Sequence, residues 1–334
     1  MKKKTTRTFA LSLLLACCLI AVPCGSLAGG DGGPGISVLV TAFPAFDFAR
    51  QITGGKAQVA MLISPGAESH SYEPSPQNII QIENCDVFVY IGGQNEAWVD
   101  RILSSVNTEN MRALSMLDCV DLVEEEIVEG MQDGGHDHDE DHDEDHDEDH
   151  DEDHDEGVEY DEHIWTSPKN AMRIVEHLCD LLAEADPANA DAYRSNAAAY
   201  LQQLTALDAA FESVVDNAAR KTIVFGDRFP FRYFAAEYGL SYFAAFPGCS
   251  TETEPSVQTV AFLIDTEKAQ GIKSIFFIES GNNRVADSIA KSVGGSSYLF
   301  HSCHNVSRRE MDEGVSYLSL MRQNLEMLRQ ALSE

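Results

Sequence analysis

An α/β fold of two parallel-sheet lobes joined by a long rigid helix is predicted by three features of the sequence. Short apolar, β-branched runs alternate with helical periodicity in the first half, the same alternation recurs in the second half, and a long helical stretch separates the two. The chain has 334 residues and is 44% hydrophobic, enough to bury the cores of two domains of ordinary size.

The N-terminus comes first. Met1-Lys2-Lys3-Lys4 and Arg7 precede an apolar stretch from Phe9 to Val22, then Pro23 and the small-residue site Ser26-Leu27-Ala28. Residues 1–28 therefore read as a secretory signal, the apolar stretch falling short of the ~20 residues that span a bilayer. Cys17 and Cys24 are both conceivable points of lipid attachment. The first lobe is expected over residues 29–185, with strands at Ile36–Thr41, Gln58–Ile63 and Asp86–Ile91 and helices at Phe46–Ile52, Ser75–Glu83 and Trp98–Ser105. Ser167-Pro168 opens a helix through about Glu184. Asp186, read as an N-cap, and Pro187, at the first helical position, then start the connecting helix over 186–219. A helix of roughly thirty residues is about 45 Å long, a strut rather than a hinge. The second lobe, 220–334, has strands at Thr222–Phe225, Ser241–Phe246, Ser274–Ile278 and Ser297–Phe300. Its helices are Phe231–Tyr238, Ser256–Gln270, Arg284–Val293 and a final one from about Glu313 to Ser333.

Half of the net charge of −32 lies in residues 133–157, which hold sixteen acidic residues and no basic one. An acidic balance excludes nucleic acid, whose phosphates require clustered Lys and Arg, and favours a cationic ligand. The same segment carries His136, His138, His142, His146, His150 and His154 in a repeat of Asp-Glu-Asp-His. It has nothing to bury and is expected to be a disordered loop. A solvated acidic linker would account for the Asp and Glu, but not for regularly spaced imidazoles, which point to loose metal binding.

Four polar residues sit just past predicted strands or in connecting loops, where open α/β sheets place their ligand crevice: His70, His163, Asp227 and His301. Asp227 could instead pair with the adjacent Arg228. His304 competes with His301, because a tight turn brings either inward. Glu279 reaches the same rim as a ligand or support, or caps the helix near Arg284. Imidazoles with one carboxylate suit Zn2+ better than magnesium or calcium, and four protein ligands close a tetrahedral shell, which favours carriage over catalysis.

Several segments taken together carry a resemblance. They are Gly66–Pro76 (GAESHSYEPSP), Ile91–Trp98 (IGGQNEAW), Asp161–Pro168 (DEHIWTSP), Phe231–Leu240 (FRYFAAEYGL) and Tyr317–Leu325 (YLSLMRQNL). Over about Ile36 to Leu332 the chain resembles the solute-binding proteins of bacterial zinc and manganese ABC importers. That resemblance implies metal held between two lobes, a membrane permease of an ABC importer as partner, and His70 and His163 as the first two ligands. It further implies that Asp227 and His301 stand at the third and fourth ligand segments. Cys249 and Cys303 both follow strands of the second lobe and are expected to form a disulfide fixing the loop of His301.

The expected product is thus an exported, monomeric, non-enzymatic Zn2+ carrier in the periplasm or on the outer face of the cytoplasmic membrane. Mn2+ is the runner-up cargo. A zinc-buffering surface adhesin using the His loop alone, or a zinc hydrolase, are the readings from other classes. The sequence contains no His-Glu-x-x-His segment and no Gly-x-Ser-x-Gly elbow.

Overall fold

The computed structural model describes residues 35–67, 72–132, 159–250, 254–279, 281 and 283–333. His70 and the six histidines of the acidic segment lie outside the described residues, as does the proposed signal.

The first half folds as β1 (Ser37–Val40), α1 (Phe43–Thr53), β2 (Gln58–Met61), α2 (Pro76–Glu83), β3 (Val87–Tyr90), α3 (Ala97–Leu103) and β4 (Arg112–Ser115). Its strands form one parallel sheet in the order β2-β1-β3-β4. After α4 (Pro168–Ala185) and α5 (Ala190–Asp216), the second half repeats the plan with β5 (Thr222–Phe229), α6 (Arg232–Tyr238), β6 (Ser241–Pro247), α7 (Val257–Gln270), β7 (Ser274–Phe277), α8 (Asn283–Val293) and β8 (Ser296–Leu299). The order β6-β5-β7-β8, again parallel, is the same arrangement. α9 (Arg308–Asp312) and α10 (Tyr317–Leu332) close the chain. In both sheets the chain starts in the middle and steps first to one side and then to the other. The crevice at that reversal, beyond the carboxyl ends of β1 and β3 or of β5 and β7, is where such sheets take ligands.

Three sequence expectations need correction. β4 was not expected: it is an edge strand whose Arg112 and Ala113 are exposed, so it lacks an apolar signature. Asp186 is the C-cap of α4 rather than the N-cap of the next helix. Residues 187–188 form a turn, Asn189 caps α5, and the Asp186 carboxylate accepts from Asn189 Nδ2 and from the Tyr193 hydroxyl. The connecting helix is consequently 27 residues long, about 40 Å. The final helical stretch splits into α9 and α10, because Gly314, at φ 74°, breaks the run between them.

α10 also belongs to both halves. It packs along α5 and α1, its first amide (Tyr317) donating to Asp47 Oδ2 of α1 at 3.0 Å. Asp47 accepts from the Tyr200 hydroxyl of α5 as well, at 3.4 Å, so one buried carboxylate ties three helices. The largest apolar cluster is continuous from Val38 and Val40 of β1, through Leu178, Tyr193 and Leu204 of the central helices, to Phe225 and Phe300 beside the second sheet. No helix among the described residues is long and apolar enough to cross a membrane.

Candidate metal site

At the carboxyl ends of the strands a cleft of about 370 Å³ opens, lined by Gly66 and Ala67, His163, Arg228, Glu279 and the loop from Ser302 to Ser307. His163 is 1% exposed. Its backbone N–H donates to Asp161 Oδ1 at 2.7 Å, and its ring Nδ1 lies 3.1 Å from the same oxygen. A carboxylate can only accept there, so Nδ1 carries the proton and Nε2 is the ring nitrogen that bears the lone pair. Burial works against charge on this ring, but Asp161 first, then Glu162 and Glu125, hold its pKa above the ordinary histidine value. Glu162 is itself clamped by Asn95, whose backbone N–H and Nδ2 both donate to it. Glu96, the next residue, accepts from the amides of Ile91 and Gly92, and burial pushes its pKa up to about 7. The Ile91–Trp98 motif therefore builds the wall behind His163.

The second imidazole in the cleft is His304. Its ring centroid lies 5.5 Å from that of His163, edge-on at 81°, and 5.0 Å from Trp165. The loop that carries it is pinned from several sides. Asn324 of α10 binds the backbone of His301 through both amide atoms, Trp165 Nε1 donates to the Ser302 carbonyl at 2.8 Å, and Phe43 N–H donates to the His304 carbonyl at 3.2 Å. Asn305 Nδ2 donates to the carbonyls of Ser64 and Ala67, holding the segment that leads to His70 against the same loop. Cys303, at φ 60°, adopts the left-handed conformation that costs an ordinary residue roughly 1–2 kcal/mol, and this reversal separates His301 from His304.

His301 and Asp227 do not reach the cleft. His301 Nδ1 accepts from the Cys303 N–H at 2.9 Å, so its proton sits on Nε2, which stands 3.7 Å from Glu310 Oε1, too far for a hydrogen bond; neither nitrogen offers a lone pair to a metal. Asp227 falls in a bulge of β5, where the two residues between Phe225 and Arg228 face the single residue between Ala244 and Phe246 on β6. The bulge turns Asp227 inward: its oxygens accept from the amides of Arg228 and Ile278, and a Cβ on Gly281 would collide with its carboxylate. The cleft position goes to Arg228 instead. Glu279 does line the cleft, but Ser302 occupies both its oxygens, through N–H to Oε2 (2.8 Å) and Oγ–H to Oε1 (2.5 Å). Ser302 Oγ in turn accepts from the His304 N–H, so Glu279 acts on the site by holding the His304 loop.

The expected Cys249–Cys303 disulfide is absent; both are free thiols. Cys303 is fully buried with its Sγ 3.7 Å from the His301 carbonyl, and burial together with Glu279, Asp47 and Glu310 pushes its pKa well up. Cys249 sits among another set of carboxylates, Asp161, Glu125 and Glu162, with its N–H on Glu125. Cys85, Cys119 and Cys179 are likewise free and buried. Among the described residues no group of three or more His, Cys, Asp or Glu stands ready-made around one point.

Comparison with known proteins bears on what this cleft holds. The family model described as zinc-uptake complex component A, periplasmic, matches residues 38–331. The zinc-binding lipoprotein AdcA of Streptococcus pneumoniae serotype 4 is 30% identical over 327 residues, 97% of this chain but 61% of that protein, so the chain spans about three-fifths of that relative. The high-affinity zinc uptake system protein ZnuA of Bacillus subtilis is 30% identical over 96% of this chain and 97% of its own length. Among solved structures, the Zn(II)-bound ZnuA-like domain of S. pneumoniae AdcA superposes with a TM-score of 0.71 at 27% identity, covering 90% of this chain and all of that domain. The metal-dependent lipoprotein YcdH of B. subtilis gives a TM-score of 0.72 at 28% identity, covering 89% and 99%. With the family model spanning nearly all described residues and two parallel-sheet lobes facing a histidine-lined cleft, the chain belongs to the family of zinc-uptake complex component A proteins.

Proposed function

We propose that this protein captures a single Zn2+ outside the cytoplasmic membrane and delivers it to the membrane permease of an ABC importer, without catalysis. The observation that carries the reading is the pair of imidazoles, His163 and His304, meeting edge-on in the cleft, with the Nε2 of His163 presented by Asp161. His70 supplies the third imidazole in this reading. It lies three residues beyond Ala67, which lines the cleft, so roughly 10 Å of chain is available to bring it there. Three nitrogen ligands favour zinc over manganese, which prefers oxygen-rich shells. The relatives named for zinc binding, zinc uptake and lipoprotein character support the cargo and an extracytoplasmic location, as does the signal-like N-terminus. The division at the connecting helix belongs to the same reading, with α5 as the strut between the lobes.

Metal analysis of purified protein tests this. Wild type is expected to retain one zinc per chain. His70→Ala, His163→Ala and His304→Ala each lose it, whereas His301→Ala and deletion of 133–157 keep it. A chain that loses its zinc with the deletion alone is a buffer rather than a carrier, and the proposal fails.

A further inference from the structure

We infer that Tyr233, on α6 of the second half, is a positioning residue for zinc binding: its hydroxyl sets where Asp161 stands, and so how firmly Asp161 holds His163. This rests on the zinc reading above. The segment that leads to His163 runs antiparallel to residues 123–125, with a bridge between Glu124 and Tyr160. Glu125 N–H donates to the Glu159 carbonyl at 2.9 Å, and Asp161 N–H to the Val123 carbonyl at 3.0 Å. Val123 and Asp161 thus form a hydrogen-bonded pair, and in a regular ladder such a pair exchanges both of its N–H···O bonds. Here the second bond is relayed. The Tyr233 hydroxyl stands inside it, accepting from Val123 N–H at 3.1 Å and donating to the Asp161 carbonyl at 2.9 Å. A phenol both donates and accepts, so it fits this place. The side chain is 4% exposed, and burial pushes its pKa up to about 12, which keeps the donated proton on the oxygen.

The hydroxyl therefore wedges the ladder open at the residue whose carboxylate pins both the backbone and the ring of His163. Both sides of the wedge are fixed from the second half. Glu126 accepts from the Tyr242 hydroxyl at 3.1 Å and lies 3.3 Å from Arg232 Nη2, while Glu125 accepts from the Cys249 N–H at 3.2 Å. α6 is anchored in turn to the central helices, with the Tyr238 hydroxyl on Asp208 at 2.8 Å and Glu237 on Lys169 at 2.6 Å. His163, which follows the first sheet in the chain, is thus aimed by a helix of the second half, and a shift of α6 is transmitted to it through Asp161. Without the hydroxyl, Val123 N–H and the Asp161 carbonyl are left to pair directly, which draws Asp161 into the ladder and its carboxylate off His163.

Zinc affinity is measured by competition with a chelating dye on the full chain, for wild type, Tyr233→Phe, Asp161→Asn and the double variant. Phenylalanine keeps the buried ring and removes only the hydroxyl. Tyr233→Phe is expected to bind one zinc about tenfold more weakly. The double variant should bind no more weakly than Asp161→Asn alone, because the hydroxyl acts only through that carboxylate. Tyr238→Phe, which removes a different hydroxyl bond from the same helix, should leave affinity unchanged. In the metal-free protein, at a pH where the ring is neutral, nitrogen NMR of His163 should show the proton on Nδ1 in wild type and a mixture of tautomers in Tyr233→Phe. Equal affinity in Tyr233→Phe, losses that add in the double variant, an equal loss in Tyr238→Phe or an unchanged tautomer each overturns the inference and leaves the zinc reading standing. A wild-type chain that binds no zinc overturns both.

Discussion

Asp161 holds His163 by two contacts to one oxygen, and the consequence is measurable at the level of single side chains. Asp161→Asn keeps the shape but can present its NH2 to Nδ1, inverting the tautomer; zinc affinity should fall by about 10–100-fold with one zinc still bound at saturation, read by competition with a chelating dye. Because neighbouring carboxylates hold the His163 pKa above its ordinary value, protons compete with zinc from a higher pH than at a free histidine. Affinity should therefore fall as pH is lowered from about 8 to about 5, never rise, since the imidazole must be neutral to ligate. His163 was legible as a residue of the cleft because its motif is local, and His70 lies outside the described residues. Asp227 and His301 stand outside the cleft lining for a physical reason. The identity of the residue facing the cleft depends in one case on a bulge that shifts β5 by a single residue, and in the other on Cys303 adopting φ 60°. Neither leaves a mark in composition or periodicity.

Elements with strong internal patterns were legible to within a few residues, as with α4, whose Ser167 N-cap accepts from the Asn170 amide beside Pro168. Those defined by partners were not: β4 exists because β3 offers it a ladder, and the break before α5 depends on Asp186 finding Asn189 and Tyr193. α7 contains a different anomaly. Glu267 is fully buried, neither of its carboxylate oxygens has a hydrogen-bond partner, and burial raises its pKa to about 7. The unfolded chain ionises this group near its ordinary value of 4.5. The folded state thus carries a penalty that is absent below that pH, grows as pH rises towards 7 and is complete above it. Glu267→Gln should stabilise the protein by about 2 kcal/mol near pH 8 and by far less near pH 4.5, measured by urea denaturation at both. Gly281→Ala should act in the opposite sense, costing about 2 kcal/mol or more because the Asp227 carboxylate already occupies the space of its Cβ.

The two sheets share a strand order and face one cleft, yet a single apolar cluster runs from β1 through α5 to Phe300, and Asp47 joins α1, α5 and α10. The described part of the molecule should consequently unfold in one calorimetric transition rather than one per lobe. Zinc at a hundred times its dissociation constant should raise stability by about 2.7 kcal/mol, an increase that a chelator reverses. The two-lobe plan was legible in the sequence because each half carries its own alternation of strand and helix. The shared core was not, since nothing in the spacing of Leu318, Leu325 and Leu328 says that α10 returns to α1 and α5. The central claim, that His163 and His304 together with His70 enclose one ion, is tested most directly by anomalous diffraction at the zinc edge from crystals of the zinc-loaded protein. One peak is predicted in the cleft, about 2.0–2.1 Å from a ring nitrogen of each of those three histidines. A peak bonded to His301 or Asp227, or one that touches His163 without His304, would contradict it.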